Sequence, residues 1–231
     1  MTGRWIRRSV SQVCLLGRDM FSLLVPPLCV GCERRLTGRE SWLCRHCRLT
    51  LACEARPVTR SVEIDNGISL GIKFALGYTP RVSRIISEMK YGDKPGLAGF
   101  LVPFLAFAVG HRIAAGTVAV PVPLHPSKRR ERGYNQSSIL AKGIAESKGL
   151  RINDILVKLR TTVSQTTLDR DRRESNVMGC FSVGKPGTSG IERVLLVDDV
   201  VTTGSTLREC ARALLAAGVK EISACAVAGS L

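Results

Sequence analysis

Hydrophobic positions along the chain give the first outline of its elements. From Ser9 to Leu24, Val10, Val13, Leu16, Met20, Leu23 and Leu24 recur at spacings of three and four, which predicts a helix stopped by Pro26 and Pro27. Its polar face carries only Arg18 and Asp19, so a docking helix is expected rather than one lying on a membrane. A short cysteine-rich segment runs to about Cys53, and the polar stretch Glu54–Gly67 reads as a linker. Ile68–Tyr78 is β-branched and punctuated by glycine, which predicts a strand pair. Arg81–Tyr91 places Val82, Ile85, Ile86 and Met89 on one helical face, and Gly99–Arg112 reads as an apolar helix. Then come a short buried strand (Thr117–Val122), a helix (Gln136–Lys148), a strand (Arg193–Asp199), a helix (Thr206–Ala217) and a closing strand (Glu221–Val227). Strands alternating with helices imply parallel βαβ units, hence an α/β domain.

Composition bounds this outline. With 231 residues, 45% hydrophobic and 23% charged, the chain is neither disordered nor fibrous. Its length accommodates one full domain and a small one, expected as residues 1–60 and 61–231. The longest uncharged stretch, Pro95–Gly110, falls short of a membrane span and contains two prolines. No apolar core of a signal peptide precedes Arg18 and Asp19. A cytoplasmic location is therefore expected, where thiols stay reduced and clustered cysteines point to metal.

The net charge of +15 calls for an anionic partner and is unevenly spread. Residues 1–60 carry net +7 and residues 121–180 net +6, whereas residues 181–231 are neutral. No lysine precedes Lys73, so the first block is all arginine, the residue suited to bidentate phosphate or carboxylate recognition. Solvated surface charge is the plainer alternative for each arginine.

Cys29-x2-Cys32 and Cys44-x2-Cys47 stand eleven residues apart, the spacing of a four-thiolate zinc cage. Four sulfurs complete a tetrahedral shell and leave no place for a catalytic water, so the site is read as structural. Disulfides or free thiols are the alternative. His46 and Cys53 read as bystanders, and Cys14, Cys180, Cys210 and Cys225 as small buried side chains.

The most informative stretch is Val194–Leu207, VLLVDDVVTTGSTL. A four-residue apolar strand ends in Asp198-Asp199, a loop of Thr202, Thr203, Gly204, Ser205 and Thr206 follows, and then a helix begins. Hydroxyls and backbone N–H groups at a helix N-terminus cradle phosphate, and Gly204 allows close approach. The carboxylates would repel that phosphate unless they hold hydroxyls or a metal beside it, which describes a ribose 5-phosphate. A solvated acidic pair before a helix cap is the alternative.

A second basic block, PVPLHPSKRRERGYNQS (Pro121–Ser137), reads as a loop crowding Lys128, Arg129, Arg130 and Arg132, with a helix starting near Asn135. Pyrophosphate is the candidate ligand for Lys128, Arg129 and Arg132, and such cations with Mg2+ would stabilise its departure. A solvated turn and a nucleic-acid patch are the alternatives. The polar segment Leu156–Phe181 holds Lys158, Arg160, Arg170, Arg172 and Arg173; such a long loop is a functional lid or is disordered.

Residues 194–207 resemble the signature of type I phosphoribosyltransferases, which bind phosphoribosyl pyrophosphate (PRPP). The resemblance implies a parallel sheet flanked by helices, with Asp198 and Asp199 at the ribose, Thr202 to Thr206 at the 5-phosphate, and one acid doubling as catalytic base. Together with the paired C-x2-C motifs, YGDKPGLA (Tyr91–Ala98), VPVPLHPSKRRERGYNQS and TTVSQTTLDRDRRESNV, the chain resembles the ComF family from about Leu23 to its end. Tyr134 stands where phenylalanine is common in that family. This implies a zinc-binding domain fused to a phosphoribosyltransferase domain, and a link to competence and single-stranded DNA uptake. Two functions follow: transfer of phosphoribosyl from PRPP to an acceptor, or an accessory factor of the DNA-uptake machinery that uses PRPP structurally.

Overall fold

Two short apolar runs of the chain become adjacent parallel strands, β4 (Thr117–Pro121) and β8 (Arg193–Val201), paired from Thr117–Arg193 to Pro121–Val197. A strand covered on both faces has no polar side to show, which is why neither run alternates. The computed structural model describes residues 26–38, 40–65, 67–160, 177–185 and 187–230. The expected helix Ser9–Leu24, Cys14, Arg39 and the middle of Leu156–Phe181 with Arg170, Arg172 and Arg173 lie outside the described residues.

The chain parts into two compact units between Cys53 and Glu54. In the first, helix α1 (Arg45–Glu54) buries Cys47 and Leu51. The second is built on a seven-stranded sheet in the order β1-β2-β9-β8-β4-β5, with β3 beside β9. Its further strands are β1 (Val58–Asp65), β2 (Ile68–Phe74), β3 (Leu76–Gly77), β5 (Arg151–Ile152) and β9 (Glu221–Gly229). All neighbours run parallel except β1 and β2. A separate antiparallel pair joins β6 (Leu156–Lys158) and β7 (Phe181–Val183).

Among the described residues, five helices belong to this unit: α2 (Pro80–Tyr91), α3 (Leu97–Val109), α4 (Pro126–Arg132), α5 (Gln136–Lys148) and α6 (Ser205–Ala216). Thr79 caps α2 by accepting from Val82 N, with Pro80 at its first turn, and the predicted face of Val82, Ile85, Ile86 and Met89 is buried. α3 and α5 pack together over β2, β9, β8 and β4, while α6 lies against β8, β1 and β7. The period of two along β8 sends Val194 and Leu196 into one core with Leu207, Cys210 and Leu214 of α6. Each fully buried leucine or valine there contributes roughly 1.5–3 kcal/mol by leaving water. No helix among the described residues is long and apolar enough to cross a membrane.

Three expectations change. Glu54–Gly67 is not a linker: Val58, Val62 and Ile64 alternate with polar residues along β1, which pairs antiparallel with β2, so the expected boundary at residue 60 falls inside a strand. Ile68–Tyr78 does not form a pair with itself; β2 and β3 both run alongside β9. The second basic block is largely a helix, α4, begun by His125, whose side chain accepts from Ser127 N, and ended by Gly133 at φ 82°. The Gly133 N–H closes the last turn on Arg129 O, and the left-handed conformation, which glycine enters freely, turns the chain out of the helix.

Candidate functional site

β8 carries Asp198 and Asp199 to its carboxyl end, where open parallel sheets bind ligands, and both are buried. Asp198 Oδ1 accepts from Ser137 Oγ at 3.0 Å and from Asp199 N at 2.9 Å. Ser137 is held there because Asn135 caps α5, accepting from Ser137 N at 3.1 Å and donating to Val122 O at 3.0 Å. Burial and the neighbouring Asp199 charge push Asp198 up to about 7, against the opposing pull of Lys90.

Lys90, in the last turn of α2, places Nζ 2.8 Å from Asp199 Oδ2. Beyond this ion pair the buried oxygen meets no further donor among the described residues. Burial works against the Lys90 charge, yet Asp199 and Asp198 hold its pKa above the ordinary lysine value. An under-satisfied carboxylate oxygen beside a second carboxylate fits a hard cation or a sugar hydroxyl.

The loop after β8 turns on Gly204, at φ 83°, where a Cβ would lie 2.8 Å from Val62 Cγ2. Thr203 Oγ1 and Ser205 Oγ stand 2.9 Å apart, and Ser205 N donates to Thr203 Oγ1 at 3.3 Å. Arg60 on β1 donates to Thr202 O, tying the loop to the sheet edge. The structure thus brings Thr202, Thr203, Gly204, Ser205 and Thr206 to one helix N-terminus beside the acids, as the sequence predicts.

The basic block is divided. α4 turns Lys128, Glu131 and Arg132 to one side, into a cavity of about 480 Å3 that Lys90 also lines. It turns Arg129 and Arg130 to the other, into a cavity of about 620 Å3 that includes Asn135, Asp154 and Lys158. Lys128 and Arg132 therefore do not share a cavity with Arg129. Lys158 lies 5.3 Å from the centre of the Phe181 ring, and burial lowers its pKa. Sequence reasoning missed Lys90 and Ser137 as neighbours of the acids; the only signal for Lys90 was its place beside the YGDKPGLA motif.

In the first unit, the sulfurs of Cys29, Cys32, Cys44 and Cys47 lie within 4.8 Å of one another, with Cys32 and Cys44 at 3.7 Å. A tetrahedron with metal–sulfur bonds of ~2.3 Å has edges of ~3.8 Å, so the set could hold a metal ion. Burial and the surrounding sulfurs push Cys47 up, while backbone N–H groups outweigh burial at Cys29 and bring it down to about 7. Four such groups become thiolates together only around a cation. Cys53 lies outside this set and is exposed, and Cys180, Cys210 and Cys225 are buried.

Residues 139–230 match the phosphoribosyl transferase domain family. The chain is 27% identical to Competence protein F of Haemophilus influenzae over 220 residues, covering 90% of this chain and 93% of that protein. It is 29% identical to the DNA utilization protein YhgH of Salmonella typhimurium over 220 residues, covering 93% and 95%. Among solved structures, the allosteric regulatory enzyme of purine biosynthesis is 25% identical with a TM-score of 0.34, over 57% of this chain and 24% of that one.

Proposed function

Because the chain belongs to the ComF family and carries a phosphoribosyltransferase-type domain, we propose that it binds PRPP with Mg2+ and transfers the phosphoribosyl group to an acceptor. The observation that carries this is the buried acid pair at the end of β8, with one under-satisfied oxygen, directly before a glycine-hinged helix N-terminus. The 5-phosphate would take the N–H groups and hydroxyls of Thr202 to Thr206. Asp198 and Asp199 would hold the ribose hydroxyls, and Asp198, poised near neutrality, can take up or release a proton. Lys90 compensates Asp199 until ligand binds. Arg129 with Arg130 and Lys158 would receive the pyrophosphate, a division of the basic block that the two cavities favour. Mg2+, held by the carboxylates and the ligand, would supply charge screening on the departing pyrophosphate. The four-cysteine set would hold zinc and, with its shell complete, serve structure.

The test is a melting scan with and without PRPP and Mg2+. Ligand that binds only the native state raises apparent stability by about 2.7 kcal/mol at a hundred times Kd. Asp198→Asn with Asp199→Asn is expected to abolish that shift. An unaltered shift would place the ligand elsewhere.

A second reading, an accessory factor in single-stranded DNA uptake, draws on the names of the relatives and on the first unit. There Arg34, Arg35, Arg45 and Arg48 are exposed together with Trp42, a combination suited to phosphates and stacked bases. Phosphate-driven binding must weaken steeply with salt, and replacing those four arginines by glutamine should remove it. Binding that persists unchanged would sink this reading.

A further inference from the structure

β4, β5, β8 and β9 begin together at the edge of the sheet opposite the acids. Thr117, Arg151, Arg193 and Glu221 are their first residues, and Arg193 stands ~16 Å of extended strand away from Asp198 along β8. Two adjoining cavities open at this edge. One, of about 200 Å3, is lined by Lys73, Arg112, Arg193 and Glu221. The other, of about 280 Å3, is lined by Lys148 and Arg151 and by no carboxylate. Ile113, Ala114 and Thr117 line both, so the two make one recess.

Several of these cations are held in place. Lys73 Nζ donates to Val109 O at 3.3 Å and Lys148 Nζ to Gly110 O at 2.7 Å, where they complement the carbonyls that end α3. Each ammonium keeps further N–H donors for a ligand. Arg193 meets Glu221 at 3.1 Å and donates to Ala115 O at 3.3 Å, which offsets its charge and pins the turn between α3 and β4. Arg112 and Arg151 are exposed and have no ion-pair partner among the described residues. Lys73, Arg112, Lys148 and Arg151 are thus left without a carboxylate of their own.

The walls between the cations are apolar. Val109, Ile113 and Ile222 line the first cavity and Ile113 and Leu150 the second, while Ile152, next to Arg151, is 45% exposed. A chain of phosphates would lay charge against those walls, and bases would need aromatic rings to stack on, which neither cavity has. A peptide carries both kinds of group: carboxylates for arginine and lysine, and an apolar side chain for the wall. β8 and β5, whose first residues line one cavity each, lie two strand spacings apart, ~10 Å, the reach of about three extended residues. We propose that this recess docks an acidic segment of a partner protein, in which carboxylates three residues apart flank an apolar side chain. Such docking needs neither PRPP nor the acids of β8.

The test is fluorescence anisotropy of the labelled peptide Asp-Asp-Leu-Asp-Asp with the full chain at physiological salt. Saturable binding is expected, and Arg112→Gln with Arg151→Gln should weaken it about tenfold, the worth of two exposed ion pairs. Both arginines are exposed, so the variant should melt as the native chain does. Arg34→Gln with Arg35→Gln removes equal charge elsewhere and should leave the affinity unchanged. Ile113→Ser removes the shared apolar wall without touching charge; it should weaken the leucine peptide about fivefold and leave Asp-Asp-Ser-Asp-Asp as it was. No saturable binding, equal affinity for the leucine and serine peptides, or equal losses in the two arginine variants would overturn the proposal. So would a short thymidine strand or tripolyphosphate that Arg112 and Arg151 hold more tightly than the peptide.

Discussion

The cysteine unit and the sheet unit are held together by different physics. Among its described residues, the first buries little apolar material beyond its sulfurs: Val30, Leu43 and Leu51 accompany Cys29, Cys44 and Cys47. The second buries a continuous core from Ile64 through Ala226, with strands covered on both faces. A segment as small as the first cannot offset its conformational entropy by burial alone, so its fold would depend on the cation that its four cysteines could hold. The same contrast extends to chemistry. In the cysteine unit, polar groups converge on each other and leave nothing to react; in the sheet unit, two buried acids converge with one oxygen still under-satisfied.

The strongest way to break this comparison is to remove the metal. Structural zinc contributes ~10–16 kcal/mol to small zinc-binding folds. A zinc-selective chelator in the presence of excess Mg2+, or Cys44→Ser with Cys47→Ser, should therefore open residues 26–53 to limited proteolysis. The PRPP-dependent melting shift should survive. If both are lost together, the two units are not independently stabilised.

The next largest effect belongs to the sheet. Leu196 is fully buried between β8 and α6, and truncating such a leucine leaves a cavity. Leu196→Ala should lower the unfolding free energy by about 2–5 kcal/mol in urea titration, with metal content unchanged. A loss of metal in that variant would couple the units.

The smallest effect sharpens the difference at the acids. Asp198 titrates near 7 as part of a pair, and the proposed binding of PRPP with Mg2+ would require its ionised form. Affinity should therefore rise about tenfold from pH 6 to pH 8, measured by calorimetry, as the ionised fraction grows. The ligand-free fold moves the other way. A carboxyl whose folded pKa is raised stabilises fully below its unfolded value of ~3.9, and that contribution is lost as pH climbs through about 7. A flat affinity profile would mean that Asp198 is ionised throughout this range.

Much of the sheet unit was legible because its signals are local. Val82, Ile85, Ile86 and Met89 mark one helical face by spacing alone, and VLLV marks a strand buried on both sides. β1 was not legible, since its edge position leaves alternate residues exposed and Thr59, Arg60 and Glu63 make the stretch read as polar. The block at Lys128–Arg132 looked like one cationic patch because linear proximity hides the turn of a helix. Folded as α4, those residues face two cavities.

The sequence by itself determined the cysteine spacing, the inner strands and longer helices of the sheet unit, and the strand–acid–glycine–helix passage at residues 194–207. Each lies within a few residues, where backbone geometry and spacing suffice. Only the tertiary structure decided that Lys90 meets Asp199, that Ser137 meets Asp198, and that Lys128 parts from Arg129. Those contacts join separate helices to one strand end, and they depend on packing across the sheet, which no local pattern encodes.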